Sequence, residues 1–169
     1  MRINFRYKNL WGEEKRREMD IIFQDNTMMI ARYTIENAQQ PLIIDDEHVL
    51  ENGFTSVSFI EFGKWYIIDK VFNIEANPTG FLAKLATPVE ENMTFISTMD
   101  LFVKFWITPQ NTYQLFGSNV FKEVSENGLM EEMVKENTQK TIEELSSQIE
   151  QKKLPTQFMK EFTINHYTT

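Results

Sequence analysis

At 169 residues, with a formal net charge of −8, no cysteine, and 14 Phe, 5 Tyr and 3 Trp, the chain is expected to form one domain that buries roughly 70% of its unfolded surface. The acidic balance excludes a general nucleic-acid binder, which needs a basic surface to neutralise phosphates. The lack of cysteine excludes disulfides and thiolate zinc sites and suits a reducing, cytoplasmic setting of bacterial type. No apolar run is long enough for a membrane span, and charges interrupt the opening MRINFRYKNLW where a signal peptide needs an apolar stretch.

The first two-thirds of the chain reads as strands. Within Arg2–Lys8, Ile3, Phe5 and Tyr7 share one face and Arg2, Asn4, Arg6 and Lys8 the other, the alternation of a half-buried strand. Trp11-Gly12-Glu13-Glu14 turns into a second strand over 15–23, and Asp25-Asn26 into a third over 27–35. The segment 37–51 is expected to be a mobile loop that holds a short strand at the apolar run Leu42–Ile44. Strands follow over 54–62 and 64–74, joined at Gly63 as a hairpin. Asn77-Pro78-Thr79-Gly80 turns into a strand over 81–86, and strands 101–107 and 112–116 flank Thr108-Pro109-Gln110-Asn111. Ser118 or Asn119 is expected to cap a short helix that Gly128 ends. Met130, Val134, Thr138, Ile142, Leu145 and Ile149 then recur at three- and four-residue steps, the stripe of an amphipathic helix over 129–152. Leu154-Pro155 breaks it before a last short helix over 156–164, and His166 falls in a tail expected to fray. Short strands with tight turns predict a mainly β (α+β) fold, an antiparallel barrel of about eight to nine strands. The barrel would occupy about 1–117 and the C-terminal helices about 118–164.

The stretch from Trp65 onward carries a further pattern. An aromatic pair, Trp65-Tyr66, precedes Lys84-Leu85-Ala86-Thr87-Pro88, then Thr98-Met99-Asp100-Leu101-Phe102, then a helix start at Gly117 and Val120. The long helix closes on Ile149-Glu150-Gln151-Lys152-Lys153. This order resembles that of the FomD-like nucleoside tri- and diphosphatases, and the resemblance covers about 3–162. It implies a barrel with C-terminal helices, a phosphoanhydride substrate and Mg2+ or Mn2+ held by carboxylates. It also implies an Arg from the second strand, here Arg16 or Arg17, as proton donor or charge stabiliser.

The ligand set departs from the family pattern. Where the resemblance implies an Asn ligand the chain has Lys84, and where it implies a triplet of aspartates on one strand face it has Thr98, Asp100 and Phe102. The distal Asp and Glu are replaced by Gly117 and Val120. Magnesium needs several hard oxygen ligands, and three carboxylates at period two would converge on it; one carboxylate does not. No cofactor is therefore expected, with Mg2+ or Mn2+ only if activity survives on Asp100. A Lys84 ammonium beside Asp100 would neutralise that carboxylate without metal.

The residues expected to line a ligand pocket are Lys84, Asp100 and Lys104, with Trp65 and Tyr66 as its aromatic wall and Arg16 or Arg17 as the phosphate contact. The expected function is a catalytically degenerate relative that binds a nucleotide or other phosphorylated small molecule. Two alternatives stand beside it: a metal-dependent nucleoside di- or triphosphatase, with Glu90 or Glu91 replacing a lost ligand, and a protein-interaction scaffold. Asp69, amid Trp65, Ile67 and Val71 on one strand face, reads either as a buried acid or, the favoured expectation, as a surface residue at a strand end. Asp45-Asp46-Glu47-His48 does not read as a metal loop, because adjacent residues of an extended segment point in alternating directions. There is no phosphate-cradling glycine loop, dinucleotide fingerprint or zinc spacing.

Overall fold

The structure, a computed structural model, describes residues 1–164; His166 lies outside them. Among the described residues, eleven strands are followed by three helices. The strands are β1 (Arg2–Lys8), β2 (Glu14–Gln24), β3 (Met28–Thr34), β4 (Leu42–Ile44), β5 (Glu47–Leu50), β6 (Thr55–Glu61), β7 (Tyr66–Phe72), β8 (Pro78–Ala86), β9 (Glu90–Glu91), β10 (Phe95–Ile107) and β11 (Tyr113–Phe116). The helices are α1 (Ser118–Glu126), α2 (Glu132–Glu150) and α3 (Gln157–Glu161).

Hydrogen-bonded neighbours run β1-β2-β3-β6-β7-β8-β10, and β10 returns to β1. The result is a closed barrel of seven strands, with β9 and β11 added along β10 and β4–β5 forming a separate hairpin. The barrel is mixed rather than antiparallel. β1 and β10 pair in parallel, Phe5 beside Ile96 and Tyr7 beside Thr98. Parallel neighbours need a long crossover between them, and here most of the barrel supplies it, so local sequence carries no sign of the closure. β10 is also longer than expected, starting at Phe95 rather than Leu101, because its first half is the segment that meets β1. The loop expected over 37–51 holds the β4–β5 hairpin, whose Val49 packs into the lumen cluster.

Alternation divides the sheet into two faces. Phe5, Met19, Met29, Ala31, Tyr33, Ile60, Ile67, Val71, Ile96 and Trp106 fill the enclosed lumen. Ile30, Val57, Phe59, Ile68, Phe72, Phe81, Ala83, Leu85, Val103 and Phe105 form the outer face, which the helices cover. Trp106 stands opposite Leu82, and its ring fits because β8 has a glycine two residues along: a Cβ at Gly80 would lie 2.4 Å from the Trp106 ring. The helices dock through Phe121, Val124, Leu145, Ile149, Met159 and Phe162, spacings that keep the apolar side chains on one stripe.

α1 begins at Gly117, not at a Ser118 or Asn119 cap, and no side chain bonds its first turn. Its C-terminal Asn127 and Gly128 satisfy orphan carbonyls through bonds to Glu123 and Ser125. α2 starts at Glu132, three residues later than the stripe suggests. α3 is anchored by a charge: Lys70, 3% exposed, donates from Nζ to the carbonyls of Met159 (3.1 Å), Lys160 (2.6 Å) and Phe162 (2.7 Å). Carbonyls at a helix end lack internal donors, so a lysine stem passing beneath the helix serves both as apolar packing and as cap. No helix among the described residues is long and apolar enough to cross a membrane.

Candidate functional site

Amid the apolar lumen lies a connected polar cluster. Asp69 on β7 is 1% exposed. It accepts from Ser58 Oγ at 2.6 Å, Tyr33 OH at 2.8 Å and Lys84 Nζ at 2.6 Å. Lys84, 9% exposed, also donates to Tyr7 OH at 3.0 Å. Arg17 Nη1 reaches the same phenol at 3.2 Å, and its guanidinium lies 3.8 Å from the centroid of the Tyr33 ring. Strand register builds this cluster: Ser58 stands opposite Asp69, Asp69 opposite Leu82, and Lys84 two residues along the same face of β8.

The electrostatics follow from burial and pairing. Burial pushes the Asp69 carboxyl up, but the Lys84 charge and the bonds from Lys84, Ser58 and Tyr33 outweigh it and hold the group below the usual aspartate value. Burial pulls Lys84 down, yet Asp69 with the Tyr33 and Tyr7 phenols holds it above the ordinary lysine value. Burial, reinforced by the Asp69 charge, keeps Tyr33 neutral well beyond its usual range.

A second lysine faces the lumen opposite the first. Lys104 pairs with Lys84 across β10 and β8. It is half-buried and makes no hydrogen bond or ion pair among the described residues. Burial lowers its pKa, Asp100 opposes that, and Lys84 and Lys15 add to it. Lys15 shares this face, standing opposite Tyr7. The set on this inward face is thus Arg17, Lys84 and Lys104 against Asp69 and Asp100, with Lys15 exposed beyond them, an excess of positive charge on this face of a protein of net charge −8.

Asp100 stands beside Ala86 at one end of a bulge, and Lys104 beside Lys84 at the other. Four steps of β10 oppose two steps of β8 there, so Asp100 and Lys104 keep the same face. Asp100 Oδ1 accepts the Phe102 amide at 2.9 Å, and Phe102 takes φ 70°. The bulge turns Phe102 away from Asp100 and Trp106: it packs with the helix-side cluster, its ring 5.2 Å from Trp11. Strict alternation would have left it in the lumen.

The expected site residues separate accordingly. Arg17, Lys84, Asp100 and Lys104 share the lumen. Arg16 is exposed and paired with Glu14 at 2.6 Å, whereas Arg17 is half-buried and reaches Tyr7. Trp65 and Tyr66 pack with the helix-side cluster and do not wall the polar site. Tyr66 faces opposite Ile67 by simple alternation, and burial with the Glu61 and Glu144 charges pushes its phenol up to about 12. Lys84 does pair with an aspartate, but the partner is Asp69 rather than Asp100, and Asp69 is buried rather than at a surface. Tyr7, Tyr33, Ser58 and Asp69 were not singled out as site residues. The legible signal was Asp69 alternating with Ile67 and Val71, an acid on an otherwise apolar strand face.

Two cavities among the described residues lie elsewhere. One of about 540 Å³ runs between β2, β3 and α3, lined by Ile22, Phe23, Met28 and Phe158. One of about 240 Å³ is lined by Arg2, Gln24, Glu91 and Thr94. The polar cluster is better defined by its hydrogen bonds than by enclosed volume.

The residues at the metal-ligand positions do not fit a divalent cation. Among the described residues no group of three or more His, Asp or Glu side chains converges. Glu90 and Glu91 are exposed, and Glu91 accepts from Gln24 at 2.9 Å. Gly117 is decisive at the helix start: with φ 78°, a Cβ there would lie 2.0 Å from the Phe102 carbonyl oxygen. No side chain, and so no ligating aspartate, can occupy position 117 on this backbone. Gly117→Asp is expected to lower stability by roughly 2–4 kcal/mol, from left-handed strain plus the steric clash, without creating Mg2+ affinity. Chemical denaturation and a Mg2+ titration check both; a stable variant that binds Mg2+ would count against this reading.

Comparison with known proteins bears on the fold. No family model matches the chain, and no curated protein matches it in sequence. Two solved structures share its architecture. A crystal structure of the phosphatase SC4828 with the non-hydrolyzable nucleotide GPCP aligns at TM-score 0.79 and 13% identity, over 99% of this chain and 90% of that one. The complex of FomD with CDP aligns at TM-score 0.76 and 8% identity, over 99% and 94%. The chain has a FomD-like fold.

Proposed function

We propose that this protein binds a nucleotide or another phosphorylated small molecule over the half-exposed rim of Arg17, Tyr7 and Lys104, above the filled lumen, and that it is a catalytically degenerate relative of the nucleoside di- and triphosphatases. The observation that carries the reading is the cationic cluster there: Arg17, Lys84 and Lys104 on one inward face of an acidic protein. Guanidinium forks and ammonium groups are the side chains that recognise phosphate oxygens. The two neighbours of the same fold are described with GPCP and with CDP, which makes nucleotides the natural first ligands to try.

The residues supply binding groups more readily than a reaction. The buried floor of Asp69, Tyr33 and Ser58 locks Lys84 in place, and the rim of Arg17, Tyr7 and Lys104 reaches solvent. Asp69 has three donors upon it and stays ionised, so it is poorly suited to take a proton from water. Asp100 commits one oxygen to the Phe102 amide.

The test joins binding to turnover. Calorimetry with CDP, GDP and their triphosphates is run beside phosphate release from the same panel, with and without Mg2+ or Mn2+. The expected result is saturable binding without turnover, weakened roughly tenfold or more by Arg17→Ala through loss of a charge-assisted contact. Metal-dependent phosphate release that Asp100→Asn abolishes would overturn the degenerate reading.

A further inference from the structure

The lumen holds charge in two unequal ways, and the difference points to the form in which a phosphate enters. Lys84 is occupied: two of its three donor hydrogens go to Asp69 and Tyr7. Lys104, its cross-strand neighbour, is half-buried with no bonded partner among the described residues. An ammonium partly removed from water, with the Asp100 charge near it but no bonded partner, is costly. Arg17 spends one donor on Tyr7 and stacks on Tyr33, leaving most of its fork unused.

Resting on the nucleotide-binding reading, we propose that the barrel takes its phosphorylated ligand as a metal-free anion, with Lys104 as the primary anchor and Arg17 as the second, and that divalent cations compete rather than assist.

The carboxylates point the same way. Asp69 is saturated by Ser58, Tyr33 and Lys84, and Asp100 has one oxygen engaged by the Phe102 amide. A divalent cation brought beside Lys84, Lys104 and Arg17 would meet three like charges and one partly free carboxylate. A nucleotide chelated by Mg2+ presents fewer free phosphate oxygens and less negative charge than the bare anion. The ammonium groups therefore gain more from the bare form. In this lumen the lysines occupy the electrostatic role that a metal ion would take on a carboxylate-lined face.

The experiment is calorimetric titration of the full chain with GDP, CDP and inorganic pyrophosphate, in chelator and in excess Mg2+. Lys104→Met and Lys104→Arg are titrated alongside, and thermal unfolding confirms that each is folded. The expected outcome is binding in chelator that weakens severalfold in Mg2+. Lys104→Met loses roughly tenfold or more, while Lys104→Arg stays within a few-fold because it keeps the charge. If Lys104→Met is unstable, retention by Lys104→Arg in chelator together with the Mg2+ effect on the wild type decides the matter. Binding that appears only with Mg2+, or that is indifferent to Lys104→Met, overturns this inference while leaving nucleotide binding intact. No binding of any probe in either condition overturns the nucleotide reading as well.

Discussion

Lys84→Met is expected to destabilise the protein by about 3–5 kcal/mol, because it leaves Asp69 buried without its counterion. Asp69 is 1% exposed, its Lys84 contact is 2.6 Å, and the lumen around it is walled by Ile67, Val71 and Tyr33. Asp69→Asn should cost less than Lys84→Met. The amide keeps hydrogen-bonding capacity for Ser58 and Tyr33, and Lys84 still has Tyr7. The double variant Lys84→Met with Asp69→Leu removes both charges at similar volume. It should recover most of the stability, since replacing a buried pair with apolar groups is often neutral or stabilising. Urea denaturation of the wild type, Lys84→Met, Asp69→Leu and the double variant gives the coupling directly, and an additive cycle would show that the two residues do not act as a pair. The double variant also separates structure from function: a folded barrel that no longer binds nucleotide shows that the pair is kept for the site rather than for stability.

Acid should unfold this protein more sharply than its exposed ion pairs would suggest. The folded pKa of Asp69 lies below the usual 3.8. The unfolded chain therefore takes up a proton first as pH falls. The stabilisation is fully present above about 3.8, the ordinary aspartate value, and is lost as pH drops through the lowered folded value. At the alkaline end the signs differ by group. Lys70 and Lys104 have lowered values, so stability rises with pH between those values and 10.5 as the unfolded chain gives up its extra proton. Lys84 is raised, and Tyr33 and Tyr66 hold their phenolic protons beyond 10.0. The unfolded chain releases those protons earlier, and stability falls once pH exceeds about 10. Denaturation midpoints from pH 2 to pH 12 should trace a plateau bounded on both sides. In the Lys84→Met, Asp69→Leu variant the acid limb should be shallower, and an acid limb identical to wild type would remove Asp69 as its cause.

The Lys84–Asp69 pair links the stability argument to the functional one. Charges buried in this way rarely add net stability, because desolvation offsets the Coulomb gain. Their presence in a lumen otherwise filled by Phe5, Met19, Met29 and Trp106 is better accounted for by what they present to a ligand. Lys84 holds a positive charge fixed in place, and Tyr7 and Arg17 are oriented by it and by Tyr33.

Much of the fold was legible in the sequence because its signals are local. Alternation located β1 at Arg2–Lys8 without error, and the three- and four-residue stripe located α2 to within three residues. Lys84, Asp100 and Lys104 are legible on strands, while the β10 bulge decides that Asp100 and Lys104 share a face. Several features of the site were not legible. Asp69 was assigned to a surface, because one acid among Ile67 and Val71 looks the same at a strand end as in a core until its partners from other strands are known. The choice between Arg16 and Arg17 depends on one step of register, and one step sends a side chain to the other face.

What the chain alone determined was therefore the class: mainly β, helices last, and no cysteine chemistry. Periodicity and composition act over a few residues and survive without knowledge of what they pack against. The tertiary structure decided the rest. Parallel contact of β1 with β10 closed the barrel, and the bulge at Phe102 kept Asp100 and Lys104 together while expelling the phenylalanine. Lys84 was joined to Asp69 rather than to Asp100. Each of these is a contact between segments far apart in the chain. The free energy of a buried charge depends on which groups surround it, so only the closed barrel could decide which acid the lysine meets.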